Sequence, residues 1–160
     1  MKQREKGCSL IELLIVVAII LIIAAIAIPN LLRARMQANE SSAVSSLHAV
    51  NTAEISYTTL FPTVGYAPSL LALGDGGTTP CAGTSAASCF LDSNLASGTK
   101  SGYIFVYTQD ATMTPSLHYS ITADPVTRGI TGQRGFFSSD QNVTRANPTG
   151  AASSTDSPLQ

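Results

Sequence analysis

The chain has 160 residues, 44% of them hydrophobic and 12% charged, with nine Lys+Arg against ten Asp+Glu for a formal net charge of -1. A charged fraction about half that of an ordinary globular domain excludes a nucleic-acid-coating protein, a charged disordered tail and a coiled-coil rod, and near-neutrality selects no partner by electrostatics. Serine and threonine, 19 and 17 residues, make up the difference, while the apolar residues gather at one end.

That end is the first element in the chain. Residues 1–7 carry three basic side chains and one acid, and from Leu13 to Ile28 there follow sixteen residues with neither charge nor polar side chain. Counted on through Pro29 and Asn30 to Leu32, the stretch holds twenty residues. At about 1.5 Å per residue it matches the roughly 30 Å of a bilayer core. Lys2, Arg4 and Lys6 precede it. Arg33 and Arg35 follow it but soon give way to Glu40 and a long polar region. The comparison favours a cytoplasmic N-terminus and an exported remainder.

Three readings of the segment compete. An ordinary secretory signal fits the basic start, the apolar stretch and the small-residue site Ala25-Ile26-Ala27. Glu12 opposes it, since an acid deep in lipid costs roughly 2.5 to 3.5 kcal/mol on insertion scales. A lipoprotein signal is suggested by Gly7-Cys8, but lipidated cysteines follow their apolar stretch, and Cys8 precedes this one. In the third reading the chain is cut after Gly7 and keeps the apolar run as its own N-terminal helix.

The residues Lys6-Gly7-Cys8-Ser9-Leu10-Ile11-Glu12-Leu13-Leu14-Ile15-Val16-Val17-Ala18-Ile19-Ile20 closely resemble the type IV prepilin signature, shared by type IV pilins and the pseudopilins of type II secretion systems. Its parts are a short basic leader, a glycine before the cut, an acid at the fifth mature position and an unbroken apolar stretch. One departure is Cys8, where the family usually has phenylalanine. The resemblance covers about residues 6–57. It implies cleavage after Gly7 and methylation of the Cys8 amine by a prepilin peptidase/N-methyltransferase. Polymerisation into a helical filament by an assembly platform and an ATPase is implied as well. The precursor would sit in the cytoplasmic membrane and the assembled pilus outside the cell, with a pseudopilin as the alternative within the same family. Cleavage would leave six basic and nine acidic residues, net -3. Glu12 and the Cys8 amine are four residues apart, so a contact within one helix is geometrically available, whereas the family's picture has Glu12 meet the terminal amine of a neighbouring subunit. Opposite charges about 4 Å apart at an effective dielectric near 20 attract by roughly 4 kcal/mol.

Helical patterning continues beyond the apolar run. Met36, Ala43, Val50 and Tyr57 recur every seven residues with Leu47 and Ala53 beside them, while Arg35, Glu40, Ser42, Ser46 and Asn51 take the other face. One helix is therefore expected from Cys8 to about Thr59, stopped by Pro62 and kinked at Pro29, whose ring removes the backbone bond to Ala25. Residues 61–100 turn to Gly, Ser, Thr, Ala and Pro without a clear period and read as a long surface connection. Cys81 and Cys89 lie in it and, outside the cytoplasm, are expected to form a disulfide. Strands are expected over Gly102–Thr108, Leu117–Ala123 and Arg134–Ser138, the first two paired antiparallel.

The fold class expected is α+β, a long N-terminal helix with an apolar membrane half and an amphipathic half packed on a small antiparallel sheet, pilin-like. The parts are a leader (1–7), a membrane and filament-core half-helix (8–32), an amphipathic half-helix (33–60), a globular head with its connecting loop (61–146) and a flexible tail (147–160).

Signals for catalysis are lacking, and no enzyme, metal or cofactor is expected. His48 and His118 read as surface or boundary residues, and no nucleophile elbow, phosphate loop or metal-ligand cluster is present. Tyr103, Phe105 and Tyr107 resemble a stacking platform for single-stranded nucleic acid only superficially. Alternate positions on one strand make a packed face, and the basic residues are scattered, so no nucleic acid is indicated.

Overall fold

The computed structural model describes residues 10–77 and 81–159, so Gly7 and Cys8 lie outside the described residues. Two units divide the chain, Met1–Arg35 and Met36–Gln160. A single helix, α1 (Leu10–Leu60), supplies the described part of the first and opens the second.

The head is built on the second half of α1. Ala43, Leu47, Val50, Ala53 and Tyr57 are buried at spacings of three and four residues, which places them on one helical face. That face is wider than the heptad template suggested. Glu40, Ser46 and Asn51, expected on the opposite side, are buried as well. A seven-residue repeat drifts by about 20° per repeat around a straight helix, so a strict template misses the flanks of the stripe. Two of the three polar intruders have specific partners. Asn51 donates to Ser138 Oγ at 2.9 Å and accepts from Tyr119 Oη at 2.8 Å; Glu40 is taken up below.

Two short helices, α2 (Leu70–Leu73) and α3 (Ser93–Ala96), follow. Each starts on a side-chain cap: Ser69 accepts from the Ala72 N–H, and Asp92 accepts from the Leu95 N–H. They put Leu70, Leu73 and Leu95 into the main core. The stretch expected as a surface connection thus helps to build the interior. Four-residue helices leave no readable period, and their order comes from packing.

Five strands form a single antiparallel meander: β1 (Thr99–Lys100), β2 (Tyr103–Gln109), β3 (Tyr119–Pro125), β4 (Gly135–Ser139) and β5 (Arg145–Asn147). In β2 the alternation is strict, with Tyr103 and Phe105 buried, Tyr107 half-buried, and Ile104 and Val106 exposed. The three aromatics face the core. In β3, Tyr119, Ile121 and Ala123 point inward, but Leu117 lies outside the ladder and is exposed, because the register ends at Gln109↔Tyr119. Just before it, the Ser116 N–H donates to Val64 O at 2.9 Å and Ser116 O accepts from the Tyr66 N–H at 3.0 Å. The chain is drawn there toward the turn after α1. Gly65 permits that approach: its φ is +82°, and an added Cβ would fall 2.1 Å from Ser116 O.

The terminal segment, read from composition as a flexible tail, makes specific contacts. The Ala146 N–H donates to Ser157 O at 3.1 Å and the Leu159 N–H to Thr144 O at 2.9 Å, extending the sheet past β5. Asp156 accepts from the Ser153 N–H at 2.7 Å and from Asn147 Nδ2 at 3.1 Å. Ala152 is buried and Leu159 packs against the core. Side-chain to backbone bonds among small polar residues order this segment and leave no hydropathy period to read.

Cys81 and Cys89 are disulfide-bonded with Cα atoms 6.0 Å apart. The loop they close lies against α1, where Tyr57 Oη donates to Ser85 O at 2.7 Å. Closing so short a loop removes unfolded-state entropy worth roughly 2 to 3 kcal/mol. Replacing both cysteines by alanine is expected to lower the head's unfolding temperature by roughly 10 °C in thermal melts followed by circular dichroism. Adding reductant to the double variant should then change nothing further.

Candidate functional site

The feature that sets this chain apart is the first part of α1. From Leu13 to Ile28 every side chain is apolar, so the helix has no polar face. Its large residues are exposed, from 46% at Val17 to 81% at Leu10. A helix apolar on every side is stable in protein interiors or lipid and unfavourable in water. This segment is long and apolar enough to cross a membrane. A partner, lipid or protein, is required by its chemistry.

Glu12 lies in the first turn of α1. Near a helix N-terminus the unsatisfied N–H groups and the macrodipole favour a negative charge, which helps to accommodate an acid at the head of an apolar run. Pro29 is inside α1. Its ring nitrogen donates no hydrogen bond, which frees the Ala25 carbonyl from its helical partner. Arg33 and Arg35, both exposed, mark the end of the apolar segment. Of the residues singled out from sequence, Glu12 and Pro29 lie on this helix and Cys81 and Cys89 meet in the head, whereas Gly7 and Cys8 are not among the described residues.

Two acids in the head escaped the sequence reading, and both sit on the buried stripe of α1. Glu40 Oε1 accepts the backbone N–H groups of Gln133 at 2.8 Å and Arg134 at 3.1 Å, and Oε2 lies 2.7 Å from Arg134 Nε. Asn39 next to it donates to Thr131 O at 2.7 Å, so two adjacent helix residues hold one loop. Burial alone would raise the Glu40 pKa, but the Gln133 N–H, the Arg134 guanidinium and the Arg134 N–H together lower it. Glu54 is fully buried beside Tyr107 and Ala67, and burial pushes its pKa up to about 7 against the lowering effect of those two hydrogen bonds. A signal for both existed. Glu40 and Glu54 fall on the spacing of Ala43, Leu47, Val50 and Tyr57, and an acid on a buried stripe requires a built environment.

His48 is exposed on α1, and His118 Nδ1 lies 2.8 Å from Asp140 Oδ2 at the surface. No group of three His, Cys, Asp or Glu residues placed to hold a metal occurs among the described residues.

Comparison with known proteins points to the N-terminal end. Residues 2–28 match the family model for the prokaryotic N-terminal methylation motif. The chain is 50% identical over 54 residues to the type IV major pilin protein PilA of Myxococcus xanthus, covering 34% of this chain and 24% of that one. It is 58% identical over 46 residues to the type IV wide pilus major component PilA4 of Thermus thermophilus, covering 29% of this chain and 35% of that one. The match therefore spans about a quarter and about a third of these relatives' lengths. No solved structure matches significantly.

Proposed function

We propose that this chain is the precursor of a structural subunit of a type IV pilus, cleaved after Gly7, methylated on the amine of Cys8 and polymerised into a helical filament through residues 10–32. The observation that carries this reading is the apolar surface around the whole first part of α1, with Glu12 in its opening turn. The methylation motif and the two pilin relatives support it.

Before assembly the segment rests in the cytoplasmic membrane, with Lys2, Arg4 and Lys6 on the cytoplasmic side and the head exported. A peptidase that also methylates the new amine trims the leader. An ATP-driven platform then moves the subunit from lipid into a bundle of identical helices. Lipid is already apolar, so the hydrophobic effect alone gives little preference for the bundle. Fit between helices and pairing of Glu12 with the Cys8 amine of a neighbour supply the selectivity, because a wrong register buries both charges unpaired. Pro29 acts as a kink where the helix adapts to packing. The function asks for no catalytic group.

Immunogold electron microscopy with antibody against the head tests this reading. Labelled surface fibres are the expected result. A methylated chain beginning at Cys8 in cells without labelled fibres would instead indicate a pseudopilin driving secretion. A chain beginning near Ile28 would indicate export behind an ordinary signal peptide.

A further inference from the structure

Glu54 has no part in the assembly reading, yet it is the most deeply buried acid of the head. Three oxygens meet beside it. Tyr107 Oη lies 2.5 Å from Glu54 Oε1 and 2.8 Å from the Ala67 carbonyl oxygen, while Glu54 Oε2 accepts the Ala67 N–H at 3.0 Å. Each of the two contacts of Oη needs a proton, and a phenol has one. With Glu54 as a carboxylate, that proton serves either Oε1 or the Ala67 carbonyl, and the other pair of oxygens is left pressed together with no hydrogen between them. With Glu54 as a carboxylic acid, its own proton bridges Oε1 and Oη, the Tyr107 proton passes on to Ala67, and Oε2 still accepts the amide. Every polar atom is then satisfied.

The surroundings agree. Facing Glu54 are the phenols of Tyr57 on α1, Tyr66 in the following turn, Tyr107 on β2 and Tyr119 on β3. Asp140 is the other acid that acts on Tyr66 and Tyr119. Among the described residues, the influences on Glu54 include no cationic side chain.

We propose that the proton on Glu54 is a structural part of the head: a carboxylic acid, not a carboxylate, locks the turn of residues 61–67 onto β2, and a rise in pH from acid to neutral unlocks it. The raised pKa, about 7 against an ordinary 4.5, fixes the sign. A group protonated more readily in the folded state stabilises fully below its unfolded pKa, and the contribution is lost as pH rises through the folded one. Opening is local. It releases the Tyr66 N–H from Ser116 O, the Ser116 N–H from Val64 O, and the Tyr66 ring from Tyr119, 4.7 Å away between centroids.

Hydrogen exchange at the Ala67 amide of the full chain in detergent micelles, corrected for the intrinsic pH dependence of exchange, tests this. In the wild type the opening constant is expected to rise about tenfold per pH unit between about pH 5 and 7 and to level off above. Glu54→Gln, whose amide donates to Tyr107 Oη while its oxygen accepts from Ala67, should be flat over the same range and as protected at pH 8 as the wild type at pH 5. A flat wild-type profile, or a glutamine variant that follows the wild type, overturns the proposal. Should the variant not fold, the carboxyl carbon-13 resonance of Glu54 in the wild type decides: a midpoint near 7 supports the lock, and one near 4.5 overturns it. Neither outcome depends on whether the chain forms pili.

Discussion

Glu12→Ala is expected to yield a chain that is trimmed, inserted and folded in its head but absent from filaments. The substitution makes the apolar helix more apolar, so membrane insertion becomes easier, by less than the roughly 2.5 to 3.5 kcal/mol of a charge at the helix centre because Glu12 lies in the first turn. The proposed cut after Gly7 lies outside the substitution, so trimming is expected to continue. Loss falls on assembly. Each neighbouring amine would enter an apolar bundle without its carboxylate, and removing one partner of a buried ion pair costs roughly 3 to 5 kcal/mol. Per subunit that is about a hundredfold to several thousandfold in association, and a filament repeats the penalty at every step. The measurement is electron microscopy of cells expressing the variant, beside an immunoblot showing trimmed protein in the membrane fraction. Glu12→Asp, one methylene shorter, should keep partial assembly, since the charge remains while the reach shrinks.

The second large effect concerns the head. Glu40→Ala is expected to detach the loop of residues 131–134 from α1 and to lower stability by roughly 2 to 4 kcal/mol, on the order of 10 °C in unfolding temperature. Two backbone N–H groups and the Arg134 guanidinium lose their acceptor together. Arg134 is 43% exposed on its side chain, so water recovers part of the loss, which places the effect below that of a fully buried pair. The loop is tightly confined, for Tyr103 Oη donates to Arg134 O at 2.9 Å and a Cβ on Gly132 would lie 2.1 Å from the same phenol oxygen. Acid should mimic the substitution. Because the folded pKa of Glu40 is lowered, its contribution is present above the unfolded value of about 4.5 and is lost as pH falls below it. Thermal melts between pH 3 and 6 should show a steeper loss in the wild type than in Glu40→Ala. Glu40 and Glu54 thus act in opposite directions: one contributes as an anion and fades in acid, the other as a neutral acid and fades as pH rises toward neutral.

The N-terminal third was readable because its information is chemical and contiguous. An unbroken apolar run, one acid near its start and a basic lead-in need no tertiary context. The helix through Leu60 and the strands around Tyr103–Gln109 and Tyr119–Pro125 were readable for a related reason, as long periodic segments declare their buried face. Cys81 and Cys89 lie eight residues apart outside the apolar run, and they form the disulfide expected of them. Other features were hidden where local pattern and tertiary demand part company. Glu40 and Asn51 look like solvent residues, and their burial is settled by a loop some ninety residues away and by the hydroxyl and phenol of Ser138 and Tyr119. The two four-residue helices carry Leu70, Leu73 and Leu95 inward with too few turns to show a period. β5 and the segment beyond it are small and polar, and Asp156 orders them through hydrogen bonds that composition does not reveal.

In the proposed assembly the apolar helix stays on the exported protein with a new, modified terminus four residues ahead of Glu12. Mass spectrometry of the N-terminal peptide from the mature protein in its own cells measures this directly. The expected peptide begins at Cys8 and is heavier than the unmodified sequence by a single methyl group. A peptide that begins after Ala27, with residues 8–27 gone from the mature chain, would contradict it.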